Sequence, residues 1–162
     1  MSKNLNNVKS GILKIKMHIG RMSEKKLKII GRHEKACLPE IGLQGIVVKT
    51  DTGAYTSSLH CKRAVPKDNR LICEFLNPHD DEDSVKKVTF AAFKKRKVKS
   101  SNGQMEERYS VQTKIKLGHE IYPIEVTLTD RHEMKYPMLL GRKFLNKKFV
   151  VDVSQKNSLT KN

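Results

Sequence analysis

Ile46-Val47-Val48-Lys49-Thr50-Asp51-Thr52-Gly53-Ala54 runs from a β-branched apolar stretch into a short turn that carries one carboxylate. β-Branched residues favour a strand, and Asp and Gly favour the turn after it, Gly by its conformational freedom and Asp by bonding to its own backbone. A strand ending at Asp51 delivers that carboxylate to a fixed point. Gly53 admits backbone geometry closed to other residues, and the Thr52 hydroxyl can brace the loop. Taken alone, the tetrapeptide also fits an ordinary surface turn.

A later segment, Pro137-Met138-Leu139-Leu140-Gly141-Arg142-Lys143-Phe144-Leu145, reads as an apolar strand end, a glycine and a short helix. Gly141 would let this strand pass close beneath the Asp51 loop, where a Cβ would intrude. Together and in this order, the two segments resemble retroviral-type aspartic peptidases. Those carry hydrophobic-Asp-Thr/Ser-Gly-Ala early, and two apolar residues, Gly, Arg and a short helix late. On that resemblance Asp51 is the catalytic residue, Thr52, Gly53 and Ala54 shape its loop, and Leu140, Gly141 and Arg142 support it. One departure stands out. Viral relatives place an acid shortly after the Ala, where it pairs with the late Arg, but here Tyr55-Thr56-Ser57-Ser58 follow. Arg142 is therefore expected to pair elsewhere, for instance with Asp152, or to meet a substrate carboxylate bidentately.

The resemblance narrows further. Leu38-Pro39-Glu40, Lys49 to His60, Ser100-Ser101-Asn102-Gly103, Glu107-Arg108, Thr127 to Arg131, Met134 and Met138 to Arg142 are similar to a bacterial family labelled ATP-dependent zinc proteases. The likeness spans Leu27 to Ser154. Despite the label, the family's fold is a retropepsin-like barrel and its motif that of an aspartic peptidase. Members often occur beside glutamate ligases of the ATP-grasp class, and some trim glutamate chains. Arg108, Arg131 and Arg142 stand at motif positions and become candidate substrate contacts.

The pattern along the chain is mostly β. Leu27 to Ile30, Gly45 to Thr50, Ser58 to Arg63, Leu71 to Leu76, Val85 to Phe93, Tyr109 to Leu117, Ile121 to Thr129 and Phe149 to Val153 read as strands, with Leu38-Pro39-Glu40 in a connection. Val111, Thr113, Ile115 and Leu117 alternate with Gln112, Lys114 and Lys116, a period of two that suits a sheet with one wet face. Arg142 to Lys147 reads as helix. Many short strands with one terminal helical turn predict an all-β, small closed barrel.

Ser100 to Gln104 has turn chemistry between extended segments. Ser101, Asn102 and Gly103 are the candidate tip of a flap over the cleft, with a plain surface hairpin as the alternative. The Lys94 to Lys99 run is placed at the base of this hairpin, where an acidic substrate would enter. The expected organisation is a basic arm over 1–26, a peptidase domain over 27–154 and a tail over 155–162.

Composition fits one modest domain: 162 residues, 37% hydrophobic, formal charge +16. Much of the charge lies in the arm, where Lys3, Lys9, Lys14, Lys16, Arg21, Lys25, Lys26 and Lys28 face Glu24 as the acidic counterweight. A frayed amphipathic helix and a disordered basic arm both suit it. No run approaches the roughly 18 apolar residues of a membrane span. Gly11 to Gly20 is broken by Lys14, Lys16 and His18 and lacks the apolar centre of a secretory signal. Cys37, Cys61 and Cys73 form no CxxC pair, and an odd number suits a reducing compartment. The expectation is cytoplasmic.

One Asp-Thr-Gly in a chemistry that needs two carboxylates sharing a proton implies a homodimer with one Asp51 from each copy. A viral-type dimer uses terminal strands at its interface. No cofactor and no metal is expected. His60, Cys61, Cys73 and His79 are borderline or soft ligands, yet they lack CxxC or HExxH spacing. Adjacent His60 and Cys61 on a strand would face opposite ways, so a packed or hydrogen-bonded role is expected for His60. The substrate expected from the charge and the resemblance is an acidic or glutamate-rich peptide. The alternative is a basic barrel that binds RNA or an acidic protein without turnover. Nine aromatic residues, none of them Trp, offer little base-stacking surface.

Overall fold

The computed structural model describes residues 26–77, 80–81, 84–99 and 103–160. Residues 1–25 of the basic arm, His79, and the flap candidates Ser101 and Asn102 lie outside the described residues. Twelve strands follow in order: β1 Lys28–Gly31, β2 His33–Leu38, β3 Leu43–Thr50, β4 Ser57–His60, β5 Arg63–Lys67, β6 Arg70–Phe75, β7 Lys86–Phe90, β8 Lys94–Lys99, β9 Met105–Leu117, β10 Glu120–Thr129, β11 Met138–Leu140 and β12 Phe149–Asp152. One short helix, α1 Arg142–Leu145, sits between the last two strands.

Six strands close on themselves in the order β10-β4-β11-β3-β2-β9, with β9 pairing back onto β10. This is the small barrel expected from the sequence. Leu38, Ile46, Val48, Leu59, Ile115, Val126, Met138 and Leu140 fill it, all fully or almost fully buried. β9 is long enough for two tasks. Its second half closes the barrel against β10, and its first half pairs with β8 to project a hairpin. β5, β6 and β7 form a separate three-stranded sheet, and β1 and β12 a parallel two-stranded ribbon.

Three expectations need correction. Lys94–Lys99 is not the base of the hairpin but its first strand, β8. Alternation explains it: Arg96 and Val98 are half-buried while the lysines face solvent, as suits an exposed edge strand. The strand expected over Val85 to Phe93 ends at Phe90, and the one expected over Ser58 to Arg63 divides into β4 and β5. Third, an unexpected strand, β2, lies between the first two expected ones and takes in Leu38, a residue expected in the connection, while Pro39 and Glu40 follow it in a turn. Its inward set is Glu34, Ala36 and Leu38, and a carboxylate at the head of that set hides the apolar period.

Glu34 is fully buried. It accepts hydrogen bonds from Gly31 N, from Ser158 N and Oγ, and from Leu159 N, at 2.6 to 3.3 Å. These bonds hold the segment after β12 against the barrel, and Asn157 N donates to His33 O at 2.9 Å in the same place. Among the described residues no helix is long and apolar enough to cross a membrane.

Candidate active site

β11 lies between β3 and β4, parallel to β3 and antiparallel to β4. The loop joining β3 to β4 must therefore cross over the end of β11, and that crossing is the Asp51 loop. The clearance is small. A Cβ on Gly141 would fall 2.6 Å from the Thr56 carbonyl carbon and oxygen and 2.7 Å from Tyr55 O, closer than real side chains come to a backbone. The loop is tied down at both ends: Asp51 N donates to Leu140 O at 3.0 Å, and Gly141 N donates to Ser57 Oγ at 3.1 Å.

Within the loop, Asp51 Oδ1 accepts from Gly53 N at 3.0 Å and Ala54 N at 3.2 Å. One carboxylate oxygen is thus anchored, while the other has no protein partner among the described residues. Gly53 is needed for a reason other than the expected one. Its φ is not positive, but a Cβ there would sit 3.3 Å from Asp51 Oδ1 and crowd the carboxylate. The Thr52 hydroxyl makes no hydrogen bond among the described residues. Bracing comes instead from Thr50 Oγ1, which donates to Gly31 O at 2.8 Å, and from Arg142. Arg142 Nη1 donates to Thr52 O and Gly53 O at 2.8 and 2.9 Å, and its backbone N donates to Ala54 O. It does not pair with Asp152, whose carboxylate takes Ser154 and Gln155. Loop carbonyls replace the missing acid.

Asp51 opens onto a groove of about 1370 Å³. One wall is the Asp51 loop with Arg142 and Lys143, a second is the β8–β9 hairpin, and a third is the loop after β10 with Arg131, Met134 and Tyr136. Gly103, at φ +86°, belongs to the turn of that hairpin. All three candidate arginines, Arg108, Arg131 and Arg142, line this groove with Asp51. Nine Lys and Arg side chains face it against three carboxylates, so its field favours anions.

Sequence reasoning missed a clamp between two of these walls. Glu125 on β10, 7% exposed, accepts from Arg96 Nε and Nη2 at 3.1 and 2.8 Å, from Ser110 Oγ at 3.0 Å, and from Lys143 Nζ. Burial alone would raise its pKa. The bonds from Lys143, Arg96 and Ser110 outweigh burial and pull it down to about 2. The available signal was an acid flanked by Ile124 and Val126 inside an apolar strand, together with a lone Arg in a lysine run.

His60 Nδ1 accepts a hydrogen bond from Arg131 N at 2.8 Å, and His60 N donates to Pro137 O at 2.7 Å. Burial lowers its pKa against the opposing pull of Asp130, which keeps the ring neutral and Nδ1 able to accept. Cys61 is buried and directs its thiol to the Arg63 and Glu74 carbonyls. The described residues do not fit zinc: no three His, Cys, Asp or Glu side chains converge among them, and the His60 Nδ1 lone pair is already in use.

Residues 29–162 match the family model for RimB-like proteins, described as the retropepsin-like aspartic endopeptidase RimB. A probable alpha-L-glutamate ligase of Shewanella halifaxensis is 36% identical over 138 residues, covering 83% of this chain and 30% of that protein. Another of the same name, from Parasynechococcus marenigrum, is 38% identical over 128 residues, 76% of this chain and 28% of that protein. The chain thus spans under a third of the length of these curated relatives. A crystal structure of a Legionella pneumophila protein of unknown function superposes with a TM-score of 0.59 at 28% identity, covering 83% of this chain and 99% of that one.

Proposed function

This chain belongs to the RimB-like family of retropepsin-like aspartic endopeptidases, and from that premise we propose that it hydrolyses peptide bonds in acidic or glutamate-rich peptides. Two Asp51 carboxylates, one from each subunit of a homodimer, form the catalytic pair. The observation that carries this reading is the Asp51 loop itself. One oxygen is fixed by two backbone N–H groups, the loop carbonyls are held by Arg142, and the other oxygen is uncommitted at the edge of a groove under a hairpin.

In an aspartic dyad the carboxylates lie about 3 Å apart and share one proton. They titrate as a unit. The ionised member takes a proton from water as that water attacks the scissile carbonyl, and the protonated member donates a hydrogen bond to the carbonyl oxygen. The β8–β9 hairpin would close over the substrate and exclude water.

Two features support pairing and substrate class. Ile29 and Val150 are register partners on the β1–β12 ribbon, about half exposed, an apolar pair suited to covering by a second copy. The excess of cations in the groove, and the ligase names of the curated relatives, suit a glutamate-rich substrate. Three free cysteines suit a reducing compartment, the cytoplasm.

Incubating the wild type and Asp51→Asn with oligoglutamate and a mixed peptide library, read by mass spectrometry, tests the proposal. Cleavage by the wild type and none by Asp51→Asn, with fold and dimer retained, is expected. An active Asn variant ends it. The exposed lysines of β8 favour one other reading, a basic barrel that holds RNA without turnover. Tight, salt-sensitive RNA binding with no Asp51-dependent hydrolysis would select it.

A further inference from the structure

Four arginines line the groove, and three are committed. Arg96 pairs with Glu125. Arg108 donates through Nε and Nη2 to Glu106 at 2.9 and 2.7 Å. Arg142 gives Nη1 to the Asp51 loop. Arg131 differs. Within the described residues its side chain makes one hydrogen bond, Nε to Tyr136 O at 3.2 Å, and has no carboxylate in ion-pair contact. Both terminal nitrogens are left without a protein acceptor there.

Its surroundings make that vacancy costly. The side chain is partly buried, and burial, then the neighbouring Arg108, weigh against its charge while Asp51 favours it. A half-buried guanidinium beside a like charge gains from an opposite charge brought close to it. It becomes well placed when an anion arrives, because its planar fork can donate to both oxygens of a carboxylate. The fork is also set in advance. His60 holds the Arg131 backbone N–H and Tyr136 O holds Nε, so little side-chain freedom remains to be lost on binding.

We propose that Arg131 is the specificity-determining residue of the groove, receiving the carboxylate of the substrate residue that borders the bond presented to Asp51. That carboxylate is either an acidic side chain or the free α-carboxylate of a chain end. The assignment rests on the hydrolytic reading above. His60 is then a positioning residue acting through the Arg131 backbone.

The full chain is tested at physiological salt, where general attraction to the basic surface is damped. Binding of labelled oligoglutamate and oligoglutamine is measured by fluorescence anisotropy in an Asp51→Asn background, and kcat/KM in the Asp51 protein. Arg131→Gln should weaken oligoglutamate binding by about 10- to 100-fold, the range for a charge-assisted pair, and lower the Glu-to-Gln ratio of kcat/KM by a similar factor. Arg131→Lys should recover part of the loss, which separates lost recognition from misfolding. If amidating the peptide's C-terminus abolishes the preference, the carboxylate is the chain end; if the preference survives, it is the side chain. Equal losses on both peptides, or no loss, overturn the assignment. Arg131-dependent binding without cleavage by the wild type would keep Arg131 as a carboxylate-binding residue and sink the hydrolytic reading, and with it the scissile-bond part of the assignment.

Discussion

At Gly141 a single hydrogen atom separates β11 from the loop it passes beneath. Gly141→Ala would press a methyl group into the Thr56 carbonyl and against Tyr55 O, and these are backbone atoms with no side-chain rotation to yield. We expect a loss of about 2–3 kcal/mol, typical of overpacking in a tight site, read from urea denaturation, and a loss of peptidase activity larger than the stability loss explains. An Ala variant of wild-type stability would show that the loop can lift. The strand-end placement of Asp51 and the close approach at Gly141 were legible in the sequence because each sits in a short contiguous segment with its own local logic; the partners of Arg142 were not. The reasons for Thr52 and Gly53 were not. They depend on what lies opposite in space, the Asp51 carboxylate for Gly53 and the Arg142 guanidinium for the loop carbonyls.

The hairpin and the helix are separate elements joined by one carboxylate. Glu125 holds Arg96 of β8 and Lys143 of α1 together, so the hairpin strand and the Arg142-bearing helix share an anchor. The pH dependence follows from the sign of its shift. A carboxyl depressed to about 2 in the fold contributes stability that is fully present above its ordinary value near 4.5, and that stability is lost as pH falls toward 2. Urea midpoints of the wild type and Glu125→Gln should therefore differ most above about pH 4.5 and converge on acidification. A gap that is flat with pH would mean Glu125 is not a charged anchor. Strands with clean alternation, such as β9, were readable from the sequence. β2 was not, because the partners that satisfy Glu34 come from Ser158 and Leu159, 124 and 125 residues further along the chain.

At the scale of the molecule, the barrel class follows from many short strands, and closure from β9 pairing with both β2 and β10. The charge of +16 could be read as a preference for anions but not as a place. The fold supplies the place by gathering β8, α1 and the loop after β10 around Asp51. The β1–β12 ribbon carries a further consequence. The two end strands of the described domain already bond to each other in parallel, and Glu34 secures the chain beyond them, so each finds a strand partner within its own protomer. In the proposed homodimer, pairing would then be a docking of folded protomers under mass action. Dilution should extinguish the proposed turnover per chain while far-UV circular dichroism still reports the folded protomer, and a loss of β signal in step with turnover would mean the copies fold through one another.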